Sequence, residues 1–553
     1  MHIIDYIVAF VILGVISVAG MFSSFNKNGN YENNNNNKLG VYKVALSVAS
    51  GFLSSISLLG FPSEVYFRGS MIYWYSIMYC VGFPIAAYVF LPILMEGRFQ
   101  NIYQYLEARF SFINRFIASL LFITMTLLYV AVALYAPALS LSTVLNIPLY
   151  LTILLTSALA SIYLIFGGLK GGVVTSALQM ILILSTFLLI ILISFYNHGF
   201  EHIYSTSIKH QRLFLTDFRI DPRIRHSVPA LVIGGSFMIV SLFATNQMSV
   251  QRYQAMESLE KAQRVILLNI PINFAILTMY VLLGLIMYAA FEISCHPTSK
   301  APDQILPYFV LTEFSHIPGL LGCFVAAVHS AGISTLTASY HALSEVIIED
   351  IICVYMRKYT KMKTMTEYER LTLSKYMPLG IAVISIGLAF IIERLNSAIL
   401  QISLSVFGAF GGLVLGIFIV AMFCPWIKNK LSATTAQFLS LYFIIIVIGL
   451  GFYYKVPTPN LPINNKCDAM EIFVPFNYYE KTEVQEPKNY LHYLSQISYQ
   501  YYTLLGVIST LIVAHIVEGF IILEDFIHRK LFKNIRIPLD TEQNIPMSKI
   551  SES

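Results

Sequence analysis

The chain has 553 residues, 57% of them hydrophobic and only 12% charged, with a formal net charge of +5 and a mean hydropathy of +0.69. A soluble domain carries roughly 25% charged residues, so this chain cannot cover a water-facing surface of its own size, and its bulk must face lipid. The apolar runs are continuous rather than alternating, which excludes a porin-type barrel and leaves an all-α polytopic membrane protein.

Runs of about 18 or more apolar residues predict about thirteen transmembrane helices. They begin near Tyr6, Lys43, Met71, Phe116, Leu149, Gly172, Val228, Val265, Gly319, Met377, Ala398, Ala433 and Tyr501. The first run, Tyr6 to Phe22, lacks the basic flank of a signal peptide and reads as a retained span. A polar Asn-rich link, NKNGNYENNNNNK, follows. The second span, VALSVASGFLSSISLLGFPSE, carries Gly51 together with Ser47, Ser50, Ser54, Ser55 and Ser57. Glycine and serine weaken a helix, and an interrupted backbone at membrane depth is tolerated only beside protein or a cavity. Transporters with broken helices hold coupling ions on carbonyls freed in this way; a small-residue packing face is the other reading.

Beyond the third span, NIYQYLEARF predicts an interfacial link with Tyr103, Leu106 and Phe110 against the membrane. In FGGLKGGVVTSALQ, Phe166 to Gln179, the glycines predict a tight turn before a span bearing Ser176 and Gln179. A lipid-facing Gln is costly, so Gln179 should point inward. IGGSFMIVSLFATNQ, Ile233 to Gln247, is a second weakened helix five spans after the first, the spacing of two halves of opposite orientation. SVQRYQAMESLEKAQR then reads as a charged inner helix.

The span LLGCFVAAVHSAGISTLTASYHALSEV, Leu320 to Val346, is crowded with hydroxyls at Ser330, Ser334, Thr335, Thr337 and Ser339. Ala331 lies one helical turn before Ser334, so a helix brings two hydroxyls and a carbonyl toward one small region. Hard cations such as sodium take oxygen ligands of this kind. Back-bonding to the helix, or contact between helices, is the alternative. His329 in the same span reads as a satisfied buried histidine rather than a proton relay.

Glu64, Glu292, Glu345, Glu349 and Asp350, near span ends, read as interfacial. No HExxH, GxSxG or phosphate-loop pattern points to an enzyme. The six cysteines have no zinc-site spacing. Cys295 and Cys467 fall in predicted outside loops, where a disulfide is permitted. Lysine and arginine gather on alternate links, which places the N-terminus outside and the C-terminus in the cytoplasm. Spread along one membrane face, they give no support to nucleic-acid binding.

Several strings, taken in order, resemble the sodium:solute symporter family. They are GFPSEVYFRG (Gly60 to Gly69), YQYLEARF, LYAPAL, GGLKGGVVTSALQ, TNQMSVQRY, APDQILPYFV, and SAGISTLTAS running on to EDI. PSEVY, LYAPAL and APDQ look most like the multivitamin, monocarboxylate and iodide branch. The resemblance implies a LeuT-type core of two inverted five-helix repeats, with one span before it and two after. It also implies a sodium site made by the hydroxyls of Ser334 and Thr335 and the carbonyls of Ala331, Ser50 and Leu53. Ser54, Ser57, Phe243 and Gln247 would then face the substrate cavity. Ser57 stands where iodide and sugar members have Gln. The family's Thr-Asp-x-x-Gln appears as Thr175, Ser176, Ala177, Leu178, Gln179, so the acidic residue behind the sodium site is lost, which bears on sodium affinity and stoichiometry. The family's Gly-Gly-Arg segment is replaced by the Asn run.

The expected organisation is a first helix at 1–23, an Asn-rich cytoplasmic link at 24–42, a ten-helix core at 43–426, two helices with an extracellular loop at 427–525, and a cytoplasmic tail at 526–553. The expected function is a plasma-membrane symporter that uses co-transported sodium to import a small organic anion, a monocarboxylate or a vitamin carboxylate such as biotin or pantothenate, by alternating access. No obligate protein partner is evident. An uncoupled or proton-driven carrier of the same fold, or a transporter-like channel or sensor, is the alternative.

Overall fold

A computed structural model describes residues 2–25, 40–97, 99, 101–297, 301–359, 365–394, 398–454, 456, 460–463 and 486–532. Most of the Asn-rich link, Cys467 and the tail from residue 533 lie outside the described residues, as do the side chains of 162–174. The described residues form helices joined by short links, with no strand among them. Among the described residues, nine helices are long and apolar enough to cross a membrane, or up to eleven when each of two bent pairs counts as one span. Ile3–Ile16 and Leu149–Ser161 are shorter apolar stretches, at the places where two more spans are expected.

The two bent pairs are the spans weakened by glycine and serine. In the first, Val41–Phe52 and Ser55–Arg68 meet at 62°. Leu53 closes the first arm through its N–H to the Ala49 carbonyl (2.8 Å), and Ser54 then begins the second arm from extended backbone. In the second pair, Ala230–Ala244 and Gln247–Gln254 meet at 52°. There Asn246 accepts from Met248 N–H through its side chain (2.9 Å) and restarts the helix in a new direction.

The hydroxyl-bearing span is the most enclosed element. In Leu320–Met356, 94% of the most apolar stretch is buried, against 28% in Tyr368–Glu393, Lys430–Tyr453 and Tyr499–His528, which therefore form the lipid-facing periphery. This central helix packs on Leu149–His198, Phe112–Leu145 and the first helix, Ile3–Phe25. Asp5 fastens the first helix to its start, accepting from Gly319 N–H (2.7 Å). Gly332 lets Phe112–Leu145 approach closely: a Cβ there would stand 2.8 Å from the Pro137 ring.

Three expectations are corrected. The glycines Gly167 to Gly172 do not interrupt the helix, which runs unbroken from Leu149 to His198. Its 50 residues amount to about 75 Å at about 1.5 Å each, more than one crossing of about 30 Å, so it holds the material of two expected spans. Tyr103 and Leu106 are fully buried within the protein rather than laid against lipid, with the Tyr103 ring near Phe122 and Phe418. Glu64 and Asp350 are buried and paired rather than interfacial; Asp350 takes Arg115, Asn101 and Ser119 at once. Arg252, in the stretch read as a charged inner helix, is buried. Cys295 is disulfide-bonded, while Cys80, Cys323, Cys353 and Cys424 are free.

Candidate functional site

A helix end leaves its last four carbonyls without intrahelical N–H partners. Because Val41–Phe52 stops inside the protein, those carbonyls must be met by something else. Ser50 and Gly51 turn theirs toward the central helix. Ser334 Oγ lies 3.1 Å from the Ser50 carbonyl and 3.1 Å from the Ala331 carbonyl, while Ser50 Oγ donates to it across 3.0 Å. Thr335 Oγ1 reaches the Gly51 carbonyl at 3.4 Å. Ser50, Ala331, Ser334 and Thr335 are all buried.

Ser334 has one hydroxyl proton for two carbonyls; the Ala331 carbonyl, inside an unbroken helix, also has its intrahelical N–H, whereas the Ser50 carbonyl lies in the last turn of Val41–Phe52. A cation among these oxygens would serve the carbonyls of that last turn. Oxygen spacings of 3.0 to 3.4 Å suit an ion ringed by oxygens at about 2.3–2.6 Å, the range for calcium, an ion of sodium's size. The site carries no formal charge of its own, which suits a monovalent ion. The expected residues Ser50, Ala331, Ser334 and Thr335 thus come together. The carbonyl facing Thr335 is that of Gly51, two residues before the expected Leu53, a residue that lines the neighbouring cavity.

That cavity opens at the break. Ser54, Ser57 and Phe243 line it, with Phe61, Tyr75, Tyr79, Tyr129, Asn273, Tyr280, Ser403 and Phe407 among the other walls. Tyr129 faces the hydroxyls of both Ser54 and Thr335 and so joins the cavity to the oxygen cluster. Tyr280 donates to Ser57 Oγ (3.3 Å) and stacks on Phe61 at 5.4 Å. Ser54 makes no side-chain cap bond to the helix it starts, Ser55–Arg68, and Ser54, Ile56 and Ser57 of that start line the cavity. None of the lining residues is Lys, Arg, His, Asp or Glu.

Gln247 is placed elsewhere. It starts the restarted arm, is buried, and accepts from Ile102 N–H at 3.2 Å. Ser176 and Gln179 are buried, as expected of Gln179, on a helix that packs against both the central helix and the first arm. His329 is buried and satisfied, facing the Val325 carbonyl at 3.2 Å and Thr156 at 3.5 Å.

One turn along from Phe61, Glu64 pairs with Arg68 (2.5 Å) and Arg225 (3.0 Å), and Arg225 extends to Gln401 (2.9 Å). Beside them burial pushes His226 down to about 3, so it is neutral and bonds Tyr499 Oη at 2.9 Å. The cluster ties the first broken span to the segment before the second and to the helix Ile399–Phe423.

The sequence model of the sodium:solute symporter family matches residues 35–434. The chain belongs to the sodium:solute symporter family. It is similar to the sodium-coupled monocarboxylate transporter 1 of Xenopus laevis, 33% identical over 465 residues that cover 82% of this chain and 73% of that protein. The human protein of that name is 30% identical over 538 residues, covering 93% and 86%. The sodium-dependent multivitamin transporter of Oryctolagus cuniculus is 29% identical over 495 residues, covering 87% and 76%. Among solved structures, an outward-open sodium-coupled sialic acid symporter superposes with a TM-score of 0.75 at 22% identity, covering 94% of this chain and 98% of that one, which shows the LeuT-like fold. This symporter is therefore a multi-pass membrane protein coupled to sodium, and its relatives are transporters rather than enzymes.

The residues not anticipated are Gly51, Tyr129, Tyr280, Asn273 and Arg252. Gly51 was visible as a helix-weakening residue and Arg252 within TNQMSVQRY. The tyrosines and Asn273 carry no sequence signal, since a hydroxyl-bearing ring in a span serves equally for packing.

Proposed function

We propose that this symporter imports a small organic anion, a monocarboxylate or a vitamin carboxylate such as biotin or pantothenate, across the plasma membrane. The observation that carries the reading is a cavity walled by hydroxyls and aromatic rings, with no Lys, Arg, His, Asp or Glu among its lining residues, directly beside the oxygen cluster. A carboxylate in such a place needs positive charge from outside the side chains. Sodium at Ser50, Ala331, Ser334 and Thr335 supplies a full charge, and the amides at the start of Ser55–Arg68 supply a partial one. The hydroxyls of Ser54 and of Tyr280, which rests on Ser57, donate to the carboxylate, while Phe61, Phe243 and Phe407 cover the apolar remainder.

Sodium bound first favours the state open to the outside, and substrate then permits closure and inward release. With the N-terminus outside and the C-terminus in the cytoplasm, an inward-negative potential contributes about 2.3 kcal/mol per charge per 100 mV to sodium entry. The core at 43–426 holds both broken spans. Ser176 in place of an acidic residue favours a second reading, an uncoupled or proton-driven carrier of the same fold.

A panel of labelled carboxylates, assayed for uptake in sodium and in choline at two external pH values, tests this. Uptake of one acid class that collapses in choline is expected. Uptake unchanged in choline would overturn the sodium coupling, and uptake following only the pH gradient would establish the second reading.

A further inference from the structure

The guanidinium of Arg252 lies beside the end of the first arm. Its Nη1 donates to the Ser47 carbonyl, one turn before Ser50. A Cβ on Gly51 would strike its Nη1, Nη2 and Cζ, so the planar group lies against that stretch of backbone. Arg252 is only 6% exposed. Among the described residues, no carboxylate lies within 4.0 Å of it. A buried cation without an ionic partner is costly, and what faces it here is the negative, C-terminal end of a half-helix.

We propose that Arg252 is a positioning residue for sodium, clamping the last turn of Val41–Phe52 so that the Ser50 and Gly51 carbonyls stay aimed at Ser334 and Thr335. The inference rests on the sodium site proposed above. The side chain comes from Gln247–Gln254, an arm of the other broken span, so one residue fastens an arm of each half of the core at the ion. The guanidinium holds Ser47, one turn back, and leaves the next carbonyls to the ion. Its planar group can lie flat along the backbone at Gly51 while donating to Ser47, which a lysine ammonium could not do. Gly51 is the small residue that admits it.

The test uses the full chain, purified and in proteoliposomes, with radiolabelled sodium binding measured alongside uptake. Arg252→Gln is expected to raise half-saturating sodium about tenfold, the equivalent of one lost charge-assisted hydrogen bond. The half-saturating substrate concentration at saturating sodium should stay unchanged. Arg252→Lys should fall between the two, and Gly51→Ala, which displaces the guanidinium, should shift sodium in the same direction. Sodium binding that is unchanged or tighter in Arg252→Gln would overturn the assignment, tighter binding meaning that the guanidinium only repels the ion. If Arg252→Gln does not fold, the Lys and Gly51→Ala variants decide by the same criterion. Ser334→Ala keeps the two readings distinguishable. If it leaves sodium binding unchanged, the site itself is wrong. If it shifts binding and Arg252→Gln does not, only the role of Arg252 falls.

Discussion

At the scale of single residues, the chemistry depends on hydroxyls that are not spent on their own helix. Ser57 illustrates the balance: it donates to the Ser54 carbonyl at 2.8 Å and accepts from Tyr280 at 3.3 Å. The second bond is long and sits in the cavity, so it is the one a ligand carboxylate would compete for. Tyr280→Phe is therefore expected to raise half-saturating substrate by about tenfold, roughly one hydrogen bond to a charged group, with the sodium curve at saturating substrate unmoved. Concentration series of substrate and of sodium in the same preparation check both halves. Ser334 and Thr335 were legible because three oxygens one turn apart on an apolar helix are unusual. Tyr280 was not, because nothing in a span says which face a tyrosine presents. Gln247 shows the converse: its place in the motif was plain, but the capping by Asn246 that turns it toward Ile102 is a matter of local geometry.

At the scale of elements, what matters is where helices stop. Both breaks were legible from glycine and serine clusters in otherwise apolar runs. The carbonyl that meets Thr335 was not, since the exact residue of a helix end depends on how the next arm departs. Buried charges were misread for a related reason. Glu64 and Asp350 sit near span ends, where sequence suggests water, but neighbouring elements cover them and bring arginines. Asp303 is also buried. It accepts from Ile399 N–H (3.0 Å) and so ties the 301–304 turn to the start of Ile399–Phe423. Burial pushes its carboxyl from 3.8 up to about 7. A carboxyl raised in the fold binds protons more tightly there than in the unfolded chain. Its stabilising contribution is thus complete below about 3.8 and is lost as pH rises through about 7. Asp303→Asn keeps an acceptor and removes the titration. The thermal midpoint of the native protein should fall, relative to that of Asp303→Asn, between pH values near 4 and near 7, and parallel profiles would contradict this.

At the scale of the whole molecule, the arrangement is one of two broken spans held against a buried central helix, with lipid-facing helices around them. Composition was enough for the polytopic class, and the spacing of the weak helices suggested two opposed halves, because an odd number of spans inverts the second copy. How the halves touch could not be read from the chain: Arg252 reaching Ser47, Asp5 holding Gly319 and Pro137 resting on Gly332 are all contacts between distant segments. At the proposed site those contacts would make ion binding a property of the assembly, since its oxygens come from Val41–Phe52 and from Leu320–Ile347. Sodium should accordingly favour the arrangement in which the two are together, and its departure should loosen the first arm.

The most direct measurement is the sodium dependence of substrate accumulation in proteoliposomes by the double variant Ser334→Ala, Thr335→Ala, beside the wild-type protein at saturating substrate. The account predicts a half-saturating sodium concentration raised by about tenfold or more, the loss of at least one ion-bound oxygen. A sodium curve that superposes on that of the wild-type protein would contradict it.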